Sequence, residues 1–315
     1  MNAQIVDVIR RLASGESIDT NRVDAQMKEA LVNLGLDTVD EAGVLRLKAP
    51  VELLSGESIL AGLGHETRDI IKGIDVHFSL DSTNDFLLKK MPSGNGHGYI
   101  CLAEKQTAGK GRRGRHWISP FGCHLYMSIG WEMPKGAGGM PPLSLVAGIE
   151  AAATLQELGI EGVGLKWPND LLCQAGKLGG ILVEAVQTGS QWGFVLGLGI
   201  NFEAGLSHLA TLDQRPGYVP RNSGVGRNKL AAALIDALVQ ALACWPQQGF
   251  AAYQARWERF NLYLGEEVVV TRGEAVFTGI DRGVDDEGNL LLEVQGQEMV
   301  FSSGEVSLRP AIPLR

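Results

Sequence analysis

The first 48 residues carry apolar side chains at helical spacing, followed by two short strand-like runs. The two helical stripes are Ile5, Val6, Ile9 and Leu12, and then Val23, Met27, Leu31 and Leu34. A DEAG turn between residues 37–39 and 44–47 predicts a hairpin. The pattern therefore predicts a small unit of two helices and a hairpin, joined by a linker that ends at residue 65.

Residues 66–264 predict one α+β domain with a mixed, largely antiparallel central sheet. Alternating positions around His77 predict a strand, and Ser82 or Thr83 would cap the helix after it. A helix through residues 145–153 precedes a meander of short strands over 164–200. In WGFVLGLGIN (192–201), large side chains alternate with glycine and valine, as expected if another backbone or a ligand packs against the glycines.

Residues 265–315 change to short β runs separated by turns rich in glycine and aspartate. The runs are EEVVVTR, AVFTGIDRGV, NLLLEV and EMVFSSGEVSLR. Strands of this length and spacing predict a small SH3-like β-barrel. The chain is therefore expected to divide into residues 1–65, 66–264 and 265–315.

The composition is that of a soluble globular protein, with 315 residues of which 45% are hydrophobic and 20% charged. A formal net charge of −8 disfavours a generic nucleic-acid coat protein. The four scattered cysteines form no CxxC pair, which is typical of reduced residues in a cytosolic protein. We see no signal peptide and no apolar stretch near the roughly 20 residues that span a bilayer, so we expect a cytoplasmic protein without a membrane partner.

The N-terminal unit is winged-helix-like in the order of its elements, but one helix is missing. A protein that reads the major groove needs basic side chains for phosphates and suitable polar side chains for bases. The second predicted helix instead carries Asp24 and Glu29, and residues 1–48 contain more acids than bases. The sequence therefore does not favour DNA as a partner of this unit.

The segment QTAGKGRRGRHW (106–117) concentrates glycine and positive charge, and we call it the basic loop. Its glycines alternate with Lys110, Arg112, Arg113 and Arg115. Glycine lets a backbone approach a ligand closely, and arginine matches the paired oxygens of carboxylate or phosphate. GKGRRG (109–114) has the spacing of GxGxxG, but the loop is neither the GxGxxG turn of a dinucleotide-binding unit nor the strand–GxxxxGK[ST]–helix pattern. From these residues alone, it is either a cradle for a polyanion or a solvated basic loop.

Three further motifs place polar groups at the ends of predicted strands: KWPND (166–170), KLGGILVE (177–184) and GLGIN (197–201). Taken singly, each is also typical of an ordinary turn or strand end. Together with the basic loop they supply cations and neutral acceptors, without a Ser/His/Asp arrangement or a metal-ligand cluster. This inventory suits chemistry by positioning and charge neutralisation, such as the condensation of a carboxylate with ATP.

With DSTN (81–84), SPFGCHLYMS (119–128) and SGEVSLR (303–309), the ordered motifs resemble the bacterial biotin protein ligases, whose long members also repress the biotin operon. The resemblance covers roughly residues 75–310. It implies a class II synthetase-like central domain and an SH3-like C-terminal barrel. It also implies that biotin and ATP form biotinyl-5′-AMP, which a lysine of the biotin carboxyl carrier protein of acetyl-CoA carboxylase then attacks.

The same resemblance assigns roles to individual residues. The implied biotin-binding residues are Ser82, Thr83, Asn84, Gln106, Lys110, Gly111, Arg112 and Lys177. The implied ATP-binding residues are Arg112, Arg115, Lys166, Asn169, Asp170, Asn201 and Arg309. The implied catalytic residues are Lys177, Arg112 and Asp170. Mg²⁺ would accompany ATP with few protein ligands, so no residue set is assigned to a metal, and no prosthetic group is implied.

The sequence departs from the family pattern at three places. Lys110 stands where arginine is usual, residues 203–227 lack a tryptophan to stack on adenine, with Tyr218 as the candidate substitute, and the N-terminal unit is short and acidic. Two alternatives stay open: a lipoate or octanoate ligase of the same fold, and a biotin-sensing DNA-binding repressor without ligase activity. A homodimer through the central domain, as in repressor-type relatives, is a further expectation that no local pattern decides.

Overall fold

The computed structural model describes residues 3–134, 142–188, 191–203, 215–303 and 306–311. The helices are α1 Ala3–Ala13, α2 Ala25–Leu34, α3 Gly56–Gly62, α4 His65–Ile70, α5 Thr83–Lys90, α6 Leu143–Glu157, α7 Arg227–Gln248 and α8 Ala251–Phe260. The strands are β1 Ile18–Asp19, β2 Thr38–Glu41, β3 Val44–Leu47, β4 Gly73–His77, β5 Tyr99–Ala103, β6 Leu125–Pro134, β7 Gly164–Lys166, β8 Asp170–Cys173, β9 Gly176–Thr188, β10 Gln191–Ile200, β11 Glu267–Arg272, β12 Ala275–Val284, β13 Leu290–Val294, β14 Gln297–Phe301 and β15 Val306–Pro310. Residues 204–214 of the loop predicted over 203–227, and residues 304–305 of SGEVSLR, lie outside the described residues.

The N-terminal unit contains the two predicted helices and the predicted hairpin, with one additional strand. A single 3-10 turn, Thr20–Arg22, stands where a further helix would complete a winged helix. Asp24 caps α2 by accepting the backbone N–H of Met27 at 2.8 Å, and Gly35 ends that helix at φ 83°. Strands β1, β3 and β2 form a three-stranded sheet in that order. A three-residue turn is too short to show helical periodicity, so the sequence could not predict it.

The linker binds the central domain beside a buried ion pair of that domain. Arg227, at the start of α7, donates to the carboxylate of Glu104 at 2.8 Å and to the backbone carbonyl of Glu52. The Glu52 carboxylate in turn accepts the backbone N–H groups of Arg227 and Asn228, at the positive end of the helix dipole. These hydrogen bonds join residues before and after residue 65, so the structure shows no separation of domains there. The boundary at residue 65 therefore stays a prediction.

The central sheet has seven strands in the order β4-β5-β6-β10-β9-β8-β7. Only β4 and β5 pair in parallel, so the prediction of a mixed, largely antiparallel sheet is confirmed. The apolar side chains of α6 and α7 are buried in the same core as those of the sheet. Among the described helices, the segment Arg227–Trp245 of α7 is long and apolar enough to cross a membrane, but 56% of it is buried inside the protein, as in a core helix.

The C-terminal strands form an antiparallel sheet in the order β14-β13-β12-β11-β15, as the prediction of a small barrel requires. The last predicted run is divided into two strands, β14 and β15. Several hydrogen bonds attach this unit to the central domain, and two of them involve buried side chains. The indole N–H of Trp167 donates to the Gly288 carbonyl at 3.1 Å, and the Asn261 amide donates to the buried Asp281 carboxylate at 3.3 Å. These contacts join residues before and after residue 264, so the domain boundary predicted there also stays a prediction.

Candidate active site

A cavity of about 590 Å³ lies where β8, β9 and β10 meet the N-terminus of α5, beneath the basic loop. Every residue to which the sequence assigned a binding or catalytic role lines it: Ser82, Thr83, Asn84, Gln106, Lys110, Gly111, Arg112, Arg115, Lys166, Asn169, Asp170, Lys177, Asn201 and Arg309. The structure thus brings together motifs that are far apart in sequence, and their individual roles stay predictions. Amides and hydroxyls beside the N-terminus of α5 form what we call the neutral end, and Asp170 with Lys166 and Lys177 forms the charged end.

The neutral end is a chain of hydrogen bonds that orients each amide. The backbone N–H of Thr83 donates to Gln106 Oε1 at 2.9 Å, and Gln106 Nε2 donates to Ser119 Oγ at 3.0 Å. Because its oxygen and nitrogen have different partners, the Gln106 amide can take only one orientation. Ser82 caps α5, as predicted, by accepting the backbone N–H of Asp85. These groups can offer an ordered set of neutral donors and acceptors to a ligand.

Two residues that sequence reasoning missed complete this network. The hydroxyl of Ser128, fully buried in β6, donates to Asn84 Oδ1 at 2.6 Å. Asn84 Nδ2 donates to a carboxylate oxygen of Glu184 at 2.8 Å. A serine at an inward-facing position of an apolar strand was the available signal for Ser128, since buried hydroxyls need partners. Glu184 ended a quoted motif, but its contact with Asn84 depends on tertiary structure.

Side chains from other segments lie against the face of β10 that carries the glycines. A methyl group on Gly197 would collide with the Asn84 amide, and one on Gly199 would lie 2.6 Å from the Trp117 indole. The sequence predicted another backbone or a ligand against these glycines, but the groups that pack there are side chains of this chain. The buried Trp117 Nε1 has no hydrogen-bond partner among the described residues.

The charged end is centred on Asp170, which lies between two lysines. Its carboxylate oxygens are 2.8 Å from Lys166 Nζ and 2.7 Å from Lys177 Nζ. Burial alone would raise the pKa of Asp170, but the two ammonium groups outweigh it and hold that pKa below its usual range. The KWPND corner, with a cis peptide bond between Trp167 and Pro168, brings Lys166 and Asp170 to the same side. Asp170 therefore stays ionised and fixes both cations toward the cavity.

The basic loop folds into a small hairpin whose tip crosses the cavity. The backbones of Lys110 and His116 form an antiparallel β-bridge, and the backbone N–H of Gly111 donates to the carbonyl of Arg115 at 2.7 Å. Arg112 donates to Asn169 Oδ1 at 2.9 Å and to a backbone carbonyl of the C-terminal unit, that of Ser303. Burial, reinforced by the neighbouring loop arginines, lowers the pKa of Arg112, while Asp170 acts in the opposite direction. The loop thus connects the central domain to the barrel.

Asn201 serves partly as a structural clamp. Its Nδ2 donates to the carbonyls of Lys177 at 3.0 Å and Gly217 at 3.3 Å, which leaves only Oδ1 for a ligand. The segment that it clamps places Pro216 on the cavity wall. Tyr218, the candidate substitute for the absent tryptophan, is not among the described residues that line the cavity. The structure therefore does not support Tyr218 as an adenine contact.

Asp170 is the one carboxylate among the described residues that line the cavity. Within the described part of the chain, no group of three or more His, Cys, Asp and Glu side chains could hold a metal ion. Both lysines already bind Asp170, so a Mg²⁺ ion here would take most of its oxygens from phosphate and water. The donor set suits an ion that accompanies a nucleotide better than a resident metal.

Comparison with known proteins identifies the class to which this fold and site belong. The family model for the biotin/lipoate A/B protein ligases matches residues 76–201, and that for the biotin protein ligase C-terminal domain matches residues 263–309. The bifunctional ligase/repressor BirA of Escherichia coli (strain K12) is 37% identical over 325 residues, covering 98% of each chain. The biotin–[acetyl-CoA-carboxylase] ligase of Mycobacterium tuberculosis is 35% identical, covering 83% of this chain and 97% of its own.

A solved structure agrees with this result. The biotin protein ligase from Aquifex aeolicus, in complex with biotin and ATP, is 27% identical, with a TM-score of 0.62. The match covers 76% of this chain and 100% of that one. The similarities define the class as the biotin and lipoate protein ligases. Within that class, the chain belongs to the biotin protein ligase family.

Proposed function

We propose that this protein joins biotin to ATP, forming biotinyl-5′-AMP, and transfers the biotinyl group to a lysine of the biotin carboxyl carrier protein of acetyl-CoA carboxylase. One observation carries the proposal: a neutral, amide-lined end and a cationic end share one cavity beneath the basic loop. Biotin is itself a neutral ureido ring system with a carboxylate at the end of an apolar chain. The names of the relatives and the biotin and ATP in the Aquifex structure support this substrate pair.

The chemistry needs positioning and charge neutralisation. A biotin carboxylate oxygen attacks the α-phosphorus of ATP, a new P–O bond forms, and the bond to pyrophosphate breaks. Lys177 and Lys166 would offset the repulsion between the two anions, because Asp170 holds both ammonium groups in place. Mg²⁺, when bound, would neutralise charge on the phosphates. In the second step, a neutral carrier lysine attacks the biotinyl carbonyl and AMP leaves.

The basic loop would protect the intermediate from water. A mixed anhydride hydrolyses readily, so a closed cover over the cavity favours transfer over loss. Arg112 contacts Asn169, the residue before Asp170, at 2.9 Å, and it also contacts a carbonyl of the barrel. Its guanidinium would replace one of these contacts with the phosphate of the adenylate. Lys177 would contact the reacting oxygens directly.

The deciding experiment is ATP–pyrophosphate exchange with biotin, lipoate or octanoate as the acid. We expect exchange with biotin alone, and none in a Lys177→Ala variant that stays folded by circular dichroism. Exchange with lipoate or octanoate in preference to biotin would establish the alternative ligase of the same fold. Biotin binding by calorimetry without any exchange would establish a biotin sensor. Transfer is then measured as mass gain on the purified carrier domain.

A second activity, repression of transcription, is suggested by the end-to-end similarity to bifunctional relatives. We infer instead that the N-terminal unit does not read DNA, because a 3-10 turn replaces one helix, and because the α2 cap Asp24 and Glu29 of α2 are exposed. A band-shift assay on the upstream promoter of its own gene, with biotin and ATP present, tests this. Saturable, sequence-specific binding would refute it.

The remaining proposals concern the state and location of the protein. Strand β4 is an edge strand of the central sheet as described, and unpaired edge strands are where a second copy can add to a sheet. We propose a homodimer through the central domain in a cytoplasmic protein. Sedimentation with and without biotin and ATP tests the assembly, and a monomer under all conditions would exclude it.

A further inference from the structure

The side-chain amide of Asn84 has only one possible orientation. Its Nδ2 donates to a Glu184 carboxylate oxygen at 2.8 Å and lies 3.4 Å from the Leu182 carbonyl oxygen. A carboxylate and a carbonyl can only accept, so Nδ2 must face them and Oδ1 must face Ser128 Oγ, 2.6 Å away. An amide oxygen carries no proton. The Ser128 hydroxyl therefore donates its single proton to Asn84.

The use of this proton decides the direction of the next hydrogen bond. Ser128 Oγ and Thr83 Oγ1 are 2.7 Å apart, so one of the two hydroxyls donates to the other. Because Asn84 takes the Ser128 proton, the donor is Thr83. No proton is then left for the 3.2 Å separation between Thr83 Oγ1 and Gln106 Oε1, which already accepts the Thr83 backbone N–H. The neutral end therefore presents two adjacent acceptor oxygens.

Three side chains thus determine the direction of the Thr83 hydroxyl, and we call them the orienting residues: Ser128, Asn84 and Glu184. Ser128 and Glu184 are not among the described residues that line the cavity, whereas Thr83 is. Both amide atoms of Asn84 have partners within the protein, so its predicted role in biotin binding would be indirect. The orienting residues can affect a ligand through Thr83 without touching it.

We propose that the orienting residues are positioning residues that fix Thr83 Oγ1 as a hydrogen-bond acceptor, so that the neutral end selects a ligand with an N–H group. A ligand oxygen placed there would face two acceptors and would lose the hydrogen bond that an N–H group makes. The inference rests on the proposed function, because the ureido ring of biotin supplies N–H groups of this kind.

The test compares biotin with two analogues, in each of which a ring oxygen replaces one of the two ureido N–H groups. One of these analogues sets an oxygen against the acceptor pair, so the wild type should bind it about a hundredfold more weakly than biotin. Calorimetry without ATP measures the affinities independently of catalysis. Ser128→Ala releases the Thr83 proton, which can then turn toward the ligand oxygen. The ratio of the two affinities should therefore fall to about ten.

Two further variants distinguish a change in proton direction from a loss of packing. Ser128→Cys fills a similar volume, but a thiol is a weak donor and acceptor, so the ratio should fall as it does in Ser128→Ala. In a Thr83→Val background, Ser128→Ala should leave the ratio unchanged, because Ser128 acts through the Thr83 hydroxyl. A ratio that still falls in this background would contradict the inference.

Glu184→Gln tests the other end of the hydrogen-bond chain, with Asp85→Asn as its matched control. A glutamine amide can also donate, so Asn84 can turn over and the chain can reverse, and the ratio should fall about threefold. Glu184 Oε1 lies 4.0 Å from Lys110 Nζ, and Asp85 forms an ion pair with the same lysine. Asp85→Asn removes a carboxylate beside Lys110 but keeps the chain, so it should not change the ratio. Equal changes in both variants would count against an orienting role for Glu184.

The outcomes separate the inference from the proposed function. If the wild type binds biotin and both analogues equally well, Thr83 is not a fixed acceptor and the inference is wrong. If the wild type does not bind biotin, the proposed function fails. Neutron diffraction from deuterium-exchanged crystals then decides the inference, because it locates the hydroxyl protons that X-ray diffraction does not show. We expect the Thr83 deuteron to point at Ser128, and a deuteron that points at Gln106 would overturn the inference.

Discussion

Asp170 is a buried carboxylate whose ionisation depends on its two lysine neighbours. Burial alone raises its pKa, and the Lys177 and Lys166 ammonium groups more than offset that effect. Because its folded pKa lies below the unfolded value of about 3.9, Asp170 stabilises the fold above that pH. This contribution is lost as the pH falls through the folded pKa. The same charges that arrange the cavity therefore also stabilise it.

The double variant Lys166→Met/Lys177→Met should reverse the sign with which Asp170 makes the free energy of unfolding depend on pH. With only burial left, the pKa of Asp170 should rise above its unfolded value, so the ionised carboxylate would destabilise the fold by about 3 kcal/mol. Protonation relieves that cost. The difference in unfolding free energy between wild type and variant should therefore shrink from pH 7 to about pH 4. Denaturant titrations at each pH measure it, and adding Asp170→Asn should abolish the trend.

Removing Arg112 should release the activated intermediate. Arg112→Gly deletes the loop's contacts with Asn169 and Ser303, so biotinyl-5′-AMP should escape and label bystander lysines about tenfold more than the wild type does. The measurement is biotin incorporated into an added non-substrate protein. Arg113→Gly is the control, because it removes an equal charge from the same exposed tip and suits the positive φ there. Equal labelling by the two variants would contradict the role of Arg112.

At the scale of elements, β10 and α5 determine the shape of the neutral end together. Glycines on one face of β10 let Asn84, in the first turn of α5, lie directly against the strand backbone. The pattern of small and large residues was visible in the sequence. The partner that fills the small face was not, because it comes from a helix more than a hundred residues earlier.

Gly197→Ala should therefore weaken biotin binding more than it weakens the fold. The added methyl group would displace the Asn84 amide and disturb its contacts with Ser128 and Glu184. We expect at least a tenfold loss of biotin affinity by calorimetry. Gly193→Ala, on the same strand, meets the ends of Thr188 and Met91, which can move. Equal losses in both variants would mean that the strand, not Asn84, determines the affinity.

At the scale of the whole molecule, three units are packed against one site. The linker holds the N-terminal unit through Glu52 and Arg227, and the barrel is held through Trp167 and Asp281. Phe121, which follows the basic loop, is buried in the N-terminal core and stacks on Phe78 at 6.0 Å. The loop segment is therefore bounded by both end units.

Trp167→Phe should loosen the barrel. The change keeps an aromatic ring but leaves the Gly288 carbonyl without its indole donor, at a cost of about 1–3 kcal/mol. The melting temperature should fall and KM for ATP should rise, because Trp167 adjoins Lys166. Trp257→Phe is the matched control, since the buried Trp257 Nε1 has no hydrogen-bond partner among the described residues. A larger effect of Trp257→Phe would exclude the proposed contact.

Local patterns in the sequence determined the elements and the inventory of the site. Helical spacing, the Ser82 cap, the Gly35 end and the antiparallel meander act over a few residues, so they can be read without the fold. The ordered motifs added the family resemblance and all the assigned cavity residues. Short elements such as α4 and the 3-10 turn were not predicted, because they contain too few residues to show a hydrophobic period.

Only the tertiary structure decided which partner each polar group has. Ser128, Glu184 and Asp85 contact site residues from segments that are distant in sequence. Tyr218 lost its assignment because the fold does not bring it to the cavity wall. The pKa of Asp170 likewise depends on burial and on two lysines from different strands. Hydrogen bonds and ion pairs act over a few ångströms in space, and sequence separation does not determine those distances.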